Sequence, residues 1–428
     1  MKILHTADWH LGKRLERVSR LEEQQLVMSE LCELADAREV DMVLVAGDLF
    51  DTFSPSTAAV ELFYKTLHRL SRNGARPVVA IAGNHDSATF IEAPDPLARN
   101  CGILLAGYPE TKLPELDLPG QFSVTRTAPG FAELKLEHHA APVRLILTPY
   151  ANEQRLGTFL GEADQAETMR ELLAGHWKKT ADSYCDERGI NLLVTHLFFQ
   201  AGRTSGLASE AFQEPEEEKP VLHVGGAPQM YPDMIPPQVQ YTALGHLHRY
   251  IEVRKGPSPV VYSSSPLSYS FSEAQQQKYA VLIDARPGAP VSYEKIPLTQ
   301  GRPLVRLRAE GVDEAVALLA RHQHALVELT LRSESYLNAA DRRRLREAHS
   351  DIITLIPDIE QQDDGESDSG RASIDLKAPV EQLFASFFEH KKEQPPGETY
   401  MQLLQEMRAL RDGGNAPETS SAEDNERP

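Results

Sequence analysis

Three strand-like runs, separated by two helical stretches, constrain the fold of this chain more than any other feature. The runs are KILHTAD (2–8), MVLVAGD (42–48), which is a continuous apolar run, and PVVAIAG (77–83). Residues 22–38 have the apolar spacing of an amphipathic helix, and a second helix is expected near 57–72. Continuous apolar runs are typical of parallel strands buried on both faces. The β-α-β-α-β order therefore predicts a doubly wound α/β layer.

Polar side chains with metal-binding capacity follow these runs and two later strand-like segments. In an open α/β sheet, ligands bind beyond the carboxyl ends of the strands. The alternating D-x-H and H-x-H donors point the same way from extended backbone, because side chains repeat every second residue. Taken alone, each His or Asp is more often structural, but the ordered set at successive strand ends indicates a site. The candidate metal ligands are Asp8, His10, Asp48, Asn84, His196, His246 and His248, with His85 beside them.

The mixed donor set narrows the choice of metal. Carboxylate, amide and imidazole donors without a thiolate suit Mn²⁺, Fe²⁺ or Zn²⁺. Seven such donors are what two divalent cations need, and two bridged cations can clamp both oxygens of a phosphoryl displacement. Glycines 47, 83 and 245 each precede a donor, where a sharp backbone turn is expected.

The ordered pattern D-x-H, G-D-x-x-D, G-N-H-D, distant H and G-H-x-H resembles the calcineurin-like metallophosphoesterase superfamily. Within it, the segments ILHTADWHLG, VAGDLFDT, AGNHDS, ALGHLHR and SSSPLSYSFSE are similar to the SbcD family, the nuclease subunits of bacterial SbcCD complexes. The resemblance covers nearly the whole chain. It implies a β-sandwich flanked by helices, with a small α+β capping domain and a C-terminal helix pair.

Roles within the site follow from this resemblance. One metal would be held by Asp8, His10 and His248, and the other by Asn84, His196 and His246, with Asp48 bridging. His85 would act on the scissile phosphate rather than bind metal. Asp51 would orient the His85 ring through its carboxylate. Asp86 is expected to give local support only.

The resemblance further implies a Mn²⁺-dependent DNA exonuclease and endonuclease, with Mg²⁺ or Fe²⁺ as possible substitutes, acting on double-stranded ends and hairpins in repair and recombination. The expected partner is the ATPase SbcC, in a heterotetramer that contains a homodimer of this chain. A small-molecule phosphodiesterase or phosphatase shares all seven ligands, but the C-terminal regions disfavour it. An inactive scaffold is disfavoured by the intact ligands and His85.

Two further details near the motifs are a departure from the family pattern and a set of basic residues. The related family usually has glycine in Y-x-G-S-P, where this chain has Ser264. Lys13, Arg14 and Arg249 lie beside the motifs and either contact DNA phosphates or form a solvated surface.

The chain divides into five predicted segments. These are a nuclease domain (1–273), an α+β capping domain (274–359), an acidic linker (360–375), a helix pair that binds SbcC (376–412) and a disordered tail (413–428). The capping domain is expected to begin with the strand KYAVLIDA (278–285). Residues 200–240 are expected to form a long surface loop.

The helix pair carries its apolar residues at positions i, i+3, i+4, i+7 and i+8, as in Val380, Leu383, Phe384, Phe387 and Phe388. Such a pair is too short to bury two apolar stripes by itself. A tethered pair favours packing on another chain, whereas packing on its own catalytic domain is the alternative.

Composition sets the remaining bounds. No stretch of about 18 apolar residues occurs, so no membrane span is expected, and no signal-peptide core is found. The three cysteines are far apart, which favours a reducing cytoplasm. The net charge of −19 disfavours a nucleic-acid partner, although divalent metals offset acidic charge locally.

Overall fold

The computed structural model describes residues 1–160, 164–201, 228–333 and 337–359, together with residues 383–385, 388 and 401. Its strands are β1 (Lys2–Thr6), β2 (Arg14–Leu15), β3 (Val18–Ser19), β4 (Met42–Ala46), β5 (Val78–Ile81), β6 (Ile103–Ala106), β7 (Leu116–Leu118), β8 (Phe122–Ala128), β9 (Phe131–Leu136), β10 (Val143–Thr148), β11 (Ile190–His196), β12 (Tyr241–Gly245), β13 (Ile251–Arg254), β14 (Val260–Tyr262), β15 (Tyr279–Asp284), β16 (Ser292–Pro297), β17 (Leu304–Glu310), β18 (Leu326–Ser333) and β19 (Ile352–Ile359). Its helices are α1 (Leu21–Ala37), α2 (Thr57–Ser71), α3 (Ala88–Glu92), α4 (Asp95–Ala98), α5 (Glu153–Leu156), α6 (Gln165–Tyr184), α7 (Val312–Leu319) and α8 (Ala339–Ala348).

Two large sheets pack face to face. The first has the order β16-β15-β1-β4-β5-β6, and the second β13-β14-β12-β11-β10-β9-β8-β7. One apolar core combines inward side chains of both sheets, such as Leu44 and Ile81 from the first and Leu145 and Val194 from the second. Strands of this kind alternate their side chains between two apolar environments, which explains their unbroken apolar sequences.

Helices cover the outer faces of the sandwich. Helices α1 and α2 pack on the first sheet, for example through Leu31 and Phe63. Helix α6 packs on the second sheet through Leu173 and Trp177. The predicted β-sandwich flanked by helices is confirmed. The doubly wound layer is wrong, because a second sheet covers the face that other helices would occupy.

The local sequence explains why α2 begins where it does. The Ser56 hydroxyl accepts a hydrogen bond from the Ala59 amide at 3.3 Å, which satisfies one unpaired N–H of the first turn. Beyond this cap, Leu62, Phe63 and Leu70 recur at helical spacing and are buried. Helix formation and core packing therefore use the same residues.

A smaller parallel sheet, β17-β18-β19, carries α7 and α8 against its own apolar core. The predicted strand at 278–285 forms as β15, but it pairs antiparallel with β1, for example Leu4 with Leu282. Strand β16 follows it into the same sheet. The expected start of the capping domain at 274 is therefore wrong in sheet topology, and we place its first strand at Leu304. Residues Met1–Glu360 form one compact unit.

The second unit, Gln361–Pro428, contains the predicted acidic linker apart from its first residue, the helix pair and the tail. These segments lie outside the described residues apart from five positions. Those five are helical, and the rings of Phe384 and Phe388 lie 5.9 Å apart, as expected for neighbours on one helix face. Most of the expected loop at 200–240 also lies outside the described residues. Among the described residues, no helix is long and apolar enough to cross a membrane.

Candidate metal centre

All seven predicted ligands meet at the rim formed by the carboxyl ends of β1, β4, β5, β11 and β12. Strands β1, β4 and β5 run parallel in one sheet, and β11 and β12 run parallel in the other. The seven residues are at most 7% exposed, and short contacts link them into one cluster. They are Asp8, His10, Asp48, Asn84, His196, His246 and His248.

The backbone of this rim is strained. Asp8, His10, Asp48 and His246 have φ values of +55°, +43°, +48° and +108°. Residues with a Cβ rarely adopt this left-handed backbone region, and each one destabilises the folded state by about 1 kcal/mol. Packing alone gives no reason for four strained residues in one cluster, so the strain indicates a functional geometry.

The glycines before the ligands have different roles. Gly47 turns the chain with φ +91°, as predicted. At Gly83 and Gly245 the reason is close approach, because an added Cβ would lie 2.1 Å from Asp48 Oδ1 or 1.9 Å from the carbonyl oxygen of Ala46. A side chain at Gly245 would push the second sheet away from β4 of the first, and one at Gly83 would displace the Asp48 carboxylate.

Hydrogen-bond acceptors face one another around His196. Its Nδ1 donates to the Ala46 carbonyl at 2.8 Å, which leaves a lone pair on Nε2. That Nε2 lies 2.9 Å from Asn84 Oδ1 and 3.4 Å from Asp48 Oδ2. Three acceptors in contact need a proton or a cation between them.

A second close contact of two ring nitrogens lies between His10 and His248. Nδ1 of His248 donates to Glu273 Oε1 at 3.1 Å, so its Nε2 also carries a lone pair. This Nε2 lies 2.9 Å from Nε2 of His10, which in turn lies 3.4 Å from Asp48 Oδ2. The Asp48 carboxylate oxygen is therefore near a histidine nitrogen from each half of the cluster.

Asp8 carries a further unsatisfied acceptor. Its Oδ1 accepts from the His246 amide at 2.8 Å, whereas Oδ2 is buried without a hydrogen-bond partner among the described residues. Burial raises the pKa of this carboxyl to about 6. Opposing effects act on His196, where burial lowers the pKa but Asp48 and Asp8 outweigh it and raise the pKa to about 9.

These observations fit a divalent cation. Carboxylate, amide and imidazole acceptors converge without enough donors to satisfy them, which is the arrangement that a bound cation completes. Two compact groups of possible ligand atoms occur among the described residues: one formed by Asp8, His10 and Asp48, and one by His10, Asp51 and His85. The chain's donor set therefore matches the predicted divalent metal site.

His85 lies beside the cluster, and its ring is 4.8 Å from that of His10. Its amide donates to Asp48 Oδ1 at 2.9 Å, and its Nδ1 bonds to the backbone carbonyl of Asp51 at 3.0 Å. The expectation that the Asp51 carboxylate orients the ring is wrong. That carboxylate instead pairs with Lys13 at 2.7 Å, because the side chain and the carbonyl of Asp51 point to different partners.

The Gly83–Asp86 turn is held by two groups. The Asp86 carboxylate accepts from the amides of Gly83, Leu49 and Phe50 at 2.8, 3.0 and 2.9 Å, which confirms its local supporting role. Arg155 donates to the carbonyls of Gly83 and Asp86 at 2.8 and 2.6 Å. No sequence signal identified Arg155, because an isolated arginine in a polar segment cannot be distinguished from an ordinary surface arginine by sequence.

Three further residues that support the rim were not predicted. Gln24 on α1 donates to the His10 carbonyl at 2.7 Å and accepts from the Gly12 amide at 2.9 Å. Glu273 contacts His248, and Lys278 pairs with Glu273. The acid in SYSFSE was visible in the sequence, but its histidine partner is 25 residues away.

Ser264 occupies a glycine-like conformation, with φ +90° and 1% exposure. Its hydroxyl accepts from the Tyr279 amide at 2.9 Å and lies 3.2 Å from the Tyr279 carbonyl. The departure from the family pattern therefore keeps the glycine conformation and adds side-chain bonds to β15.

Two face-to-face sheets with candidate metal ligands at their strand ends fit a metal-dependent enzyme. The model of the calcineurin-like phosphoesterase family matches residues 1–250, which span the whole rim, and this match identifies the class as the metal-dependent phosphoesterases.

Curated relatives resemble 73–91% of the chain. The SbcD nuclease of the SbcCD complex from Bacillus subtilis is 33% identical over 91% of this chain and 93% of its own length. The SbcD nucleases from Rhodobacter capsulatus and Staphylococcus epidermidis are 32% and 28% identical, over 75% and 73% of this chain and 75% and 74% of theirs. The chain therefore belongs to the calcineurin-like phosphoesterases, in the family of the SbcD nucleases.

Proposed function

We propose that the chain is the nuclease subunit of an SbcCD-type complex and hydrolyses DNA phosphodiester bonds with two divalent cations, preferably Mn²⁺. Mg²⁺ or Fe²⁺ are the proposed substitutes. The observation that carries the proposal is the convergence of lone pairs around Asp48. The names of the relatives, which are nuclease subunits, support a nucleic-acid substrate.

We assign Asp8, His10 and His248 to one cation. Oδ2 of Asp8 is the oxygen left without a hydrogen-bond partner among the described residues, and Nε2 of both histidines carries or faces a lone pair. Asn84, His196 and His246 form the other group, since Nε2 of His196 and Nδ1 of His246 lie 2.9 and 3.0 Å from Asn84 Oδ1. When bound, the cations polarise the phosphoryl oxygens and lower the pKa of the attacking water.

Asp48 is the proposed bridging ligand. Its Oδ2 lies 3.4 Å from Nε2 of His10 and 3.4 Å from Nε2 of His196, which we assign to different cations. Its Oδ1 is engaged by the His85 amide, which fixes the carboxylate plane. Asp48 therefore connects both metal groups to the turn that carries His85.

We assign to His85 the stabilisation of the phosphate or protonation of the leaving oxygen. The Asp51 carbonyl occupies Nδ1, so Nε2 is the nitrogen available to face a phosphate. Asp51 positions the ring through its main chain, and its carboxylate holds Lys13. Phosphate contacts by Lys13, Arg14 and Arg249 remain proposals.

The proposed partners are SbcC and double-stranded DNA ends and hairpins, with two copies of the chain in a heterotetramer. We propose that residues 376–412 form the SbcC-binding helix pair. A cytoplasmic location belongs to the same proposal and is supported by three free thiols.

The catalytic proposal is tested by cleavage of a DNA hairpin and of a generic phosphodiester, each with Mn²⁺ or chelator and with or without SbcC. We expect Mn²⁺-dependent hairpin cleavage that SbcC and ATP stimulate. Hydrolysis of the generic ester alone would favour a small-molecule phosphodiesterase and contradict the proposal.

The partner assignment is tested by truncation after Asp375. The truncated chain should bind metal and hydrolyse a generic phosphodiester, because it retains every proposed ligand, but it should no longer co-purify with SbcC. A sharply lower melting temperature together with retained SbcC binding would place the helices on their own domain instead.

A further inference from the structure

A buried ion pair lies directly behind the His248 ring. Glu273 and Lys278 are each 5% exposed, although neither residue belongs to the proposed ligand set. Oε1 of Glu273 lies 3.1 Å from Nδ1 of His248, and Oε2 pairs with Nζ of Lys278. A buried ion pair contributes little net stability by itself. Stability therefore does not explain why this pair lies against the His248 imidazole.

The donors and acceptors of this cluster match one another. Lys278 Nζ has three N–H groups, and three acceptors surround it: Glu273 Oε2, the His248 carbonyl at 2.6 Å and Ser265 Oγ at 3.0 Å. Glu273 then has only Oε1 to offer His248, as an acceptor. The proton of the imidazole is therefore fixed on Nδ1, and Nε2 keeps its lone pair toward the rim.

The partner of His248 differs in charge from those of two neighbouring histidines. His196 and His85 each use a neutral main-chain carbonyl, from Ala46 and Asp51. A carboxylate holds the ring orientation as a carbonyl does, and it also makes the opposite ring nitrogen a stronger donor to a cation.

We propose that Glu273 and Lys278 act together as positioning residues, which lock His248 in the Nδ1–H tautomer and thereby set the affinity of one of the two cation sites. This inference rests on the proposed function, because it takes His248 as a metal ligand. Glu273 supplies the acceptor, and Lys278 determines which oxygen is left for His248.

Glu273→Gln and Glu273→Ala distinguish a positioning role from a packing role, because the two roles predict opposite rankings of the loss in metal affinity. In Glu273→Gln, Lys278 can only donate and takes the amide oxygen, so the amide NH₂ faces Nδ1 of His248. The proton then moves to Nε2, where it blocks the cation. Glu273→Ala opens a small cavity but leaves either tautomer accessible. Positioning therefore predicts that Gln is the more harmful change to metal affinity, whereas lost packing predicts that Ala is.

The experiment titrates Mn²⁺ into the metal-free full-length protein by calorimetry, alongside ¹⁵N spectra of labelled histidines. We expect Glu273→Gln to weaken one of two Mn²⁺ equivalents by about 10–100-fold, more than Glu273→Ala, and to move the proton of His248 from Nδ1 to Nε2. Wild-type affinity in Glu273→Gln, or a weaker effect of Gln than of Ala, would overturn the inference.

Glu133→Gln is the matched control. Glu133 is 8% exposed and pairs with Arg144 at 2.8 Å, so this change also removes the charge of a buried acid, away from the rim. It should lower the melting temperature comparably and leave both Mn²⁺ equivalents unchanged. Weakened Mn²⁺ binding in the control would show that general destabilisation explains the effect and would overturn the inference.

His248→Ala separates this inference from the proposed function. If this variant keeps both Mn²⁺ equivalents, the ligand assignment fails. If it loses one equivalent while Glu273→Gln retains both at wild-type affinity, only the positioning role fails.

Discussion

The two ends of β10 and β11 use buried charge in opposite ways. Where these strands begin, Arg144 donates to Glu133 at 2.8 Å and to Asp186 at 2.6 Å. Where β11 ends, Nε2 of His196 meets the acceptor oxygens of Asn84 and Asp48, and a proton or a cation is needed between them. At the first end donors meet acceptors, and at the second end acceptors meet acceptors.

The difference distinguishes structural from functional polarity. A buried charge is tolerated when it is paired and hydrogen-bonded, as at Arg144. The rim violates this rule in several contacts and also has left-handed ligand residues, such as Asp8 and His246. Because a bound cation would remove the mismatch, substitutions at the rim should alter metal binding more than stability. Substitutions at Arg144 should do the reverse.

The largest expected effect is that of Asp48→Ala. Both proposed cations share this carboxylate, so the variant should retain neither at concentrations that saturate the wild type. The rate of phosphodiester hydrolysis should fall by at least about 10⁴-fold, because each cation supplies several kcal/mol to the transition state. Metal analysis and calorimetry measure the first effect, and steady-state kinetics the second.

The bridging role of Asp48 also has a clear contrary result. If the purified variant still holds two equivalents of Mn²⁺, Asp48 does not bridge. Arg144→Met is the control for this measurement, since it removes a buried charge from the other end of β10.

His85→Leu should separate catalysis from metal binding. The His85 ring contacts the Asp51 carbonyl and borders His10, but it is assigned to the phosphate. We expect unchanged Mn²⁺ stoichiometry and DNA affinity, with a rate about 10²–10⁴-fold lower, the usual contribution of a positioned proton donor. Loss of a Mn²⁺ equivalent in calorimetry would make His85 a ligand and refute the assignment.

Arg144→Met should lower stability without affecting metal binding, the opposite of the rim substitutions. The substitution leaves Glu133 buried without its cation, which typically costs about 3 kcal/mol. We expect a lower melting temperature and a smaller free energy of unfolding in urea, with Mn²⁺ affinity and turnover unchanged below the transition. If Arg144→Met has normal stability but weakened Mn²⁺ binding, the distinction between structural charge at Arg144 and functional charge at the rim is wrong.

The strands could be predicted where their apolar sequence is continuous, as in β4 and β5. Strand β8 was missed because it mixes buried and exposed residues, and β9 because Glu133 and Lys135 interrupt its short apolar sequence. The pairing of a strand was harder to predict than its presence. Strand β15 was recognised as a strand, but its partner β1 is more than 270 residues away in sequence. No local pattern carries that information.

The site divides in the same way. The ligands could be predicted because they follow recognisable strands, and parallel strands deliver their ends to one rim. The supporting groups could not, because their role is set by tertiary contacts: Arg155 binds two carbonyls some 70 residues away in sequence. The Asp51 error has the same origin, since a sequence does not show whether a side chain or its carbonyl will face a neighbour.

The smallest expected effect concerns Ser264, which combines strain with hydrogen bonding beside the rim. Its φ of +90° is unfavourable for any residue with a Cβ, whereas glycine adopts it freely. Its hydroxyl also bonds to the backbone of Tyr279. Ser264→Ala keeps the strain and loses the bond, and Ser264→Gly loses both. We therefore expect the glycine variant to be more stable than the alanine variant by about 1 kcal/mol.

Comparison with the wild type then isolates the hydroxyl. Because the released strain and the lost hydrogen bond are each about 1 kcal/mol, Ser264→Gly should unfold within about 1 kcal/mol of the wild type in urea. Both variants should bind Mn²⁺ normally, since Ser264 contacts β15 and no proposed ligand side chain. Equal stability of the alanine and glycine variants would show that the left-handed residue is not strained. The left-handed φ values of the rim ligands would then no longer be evidence of strain.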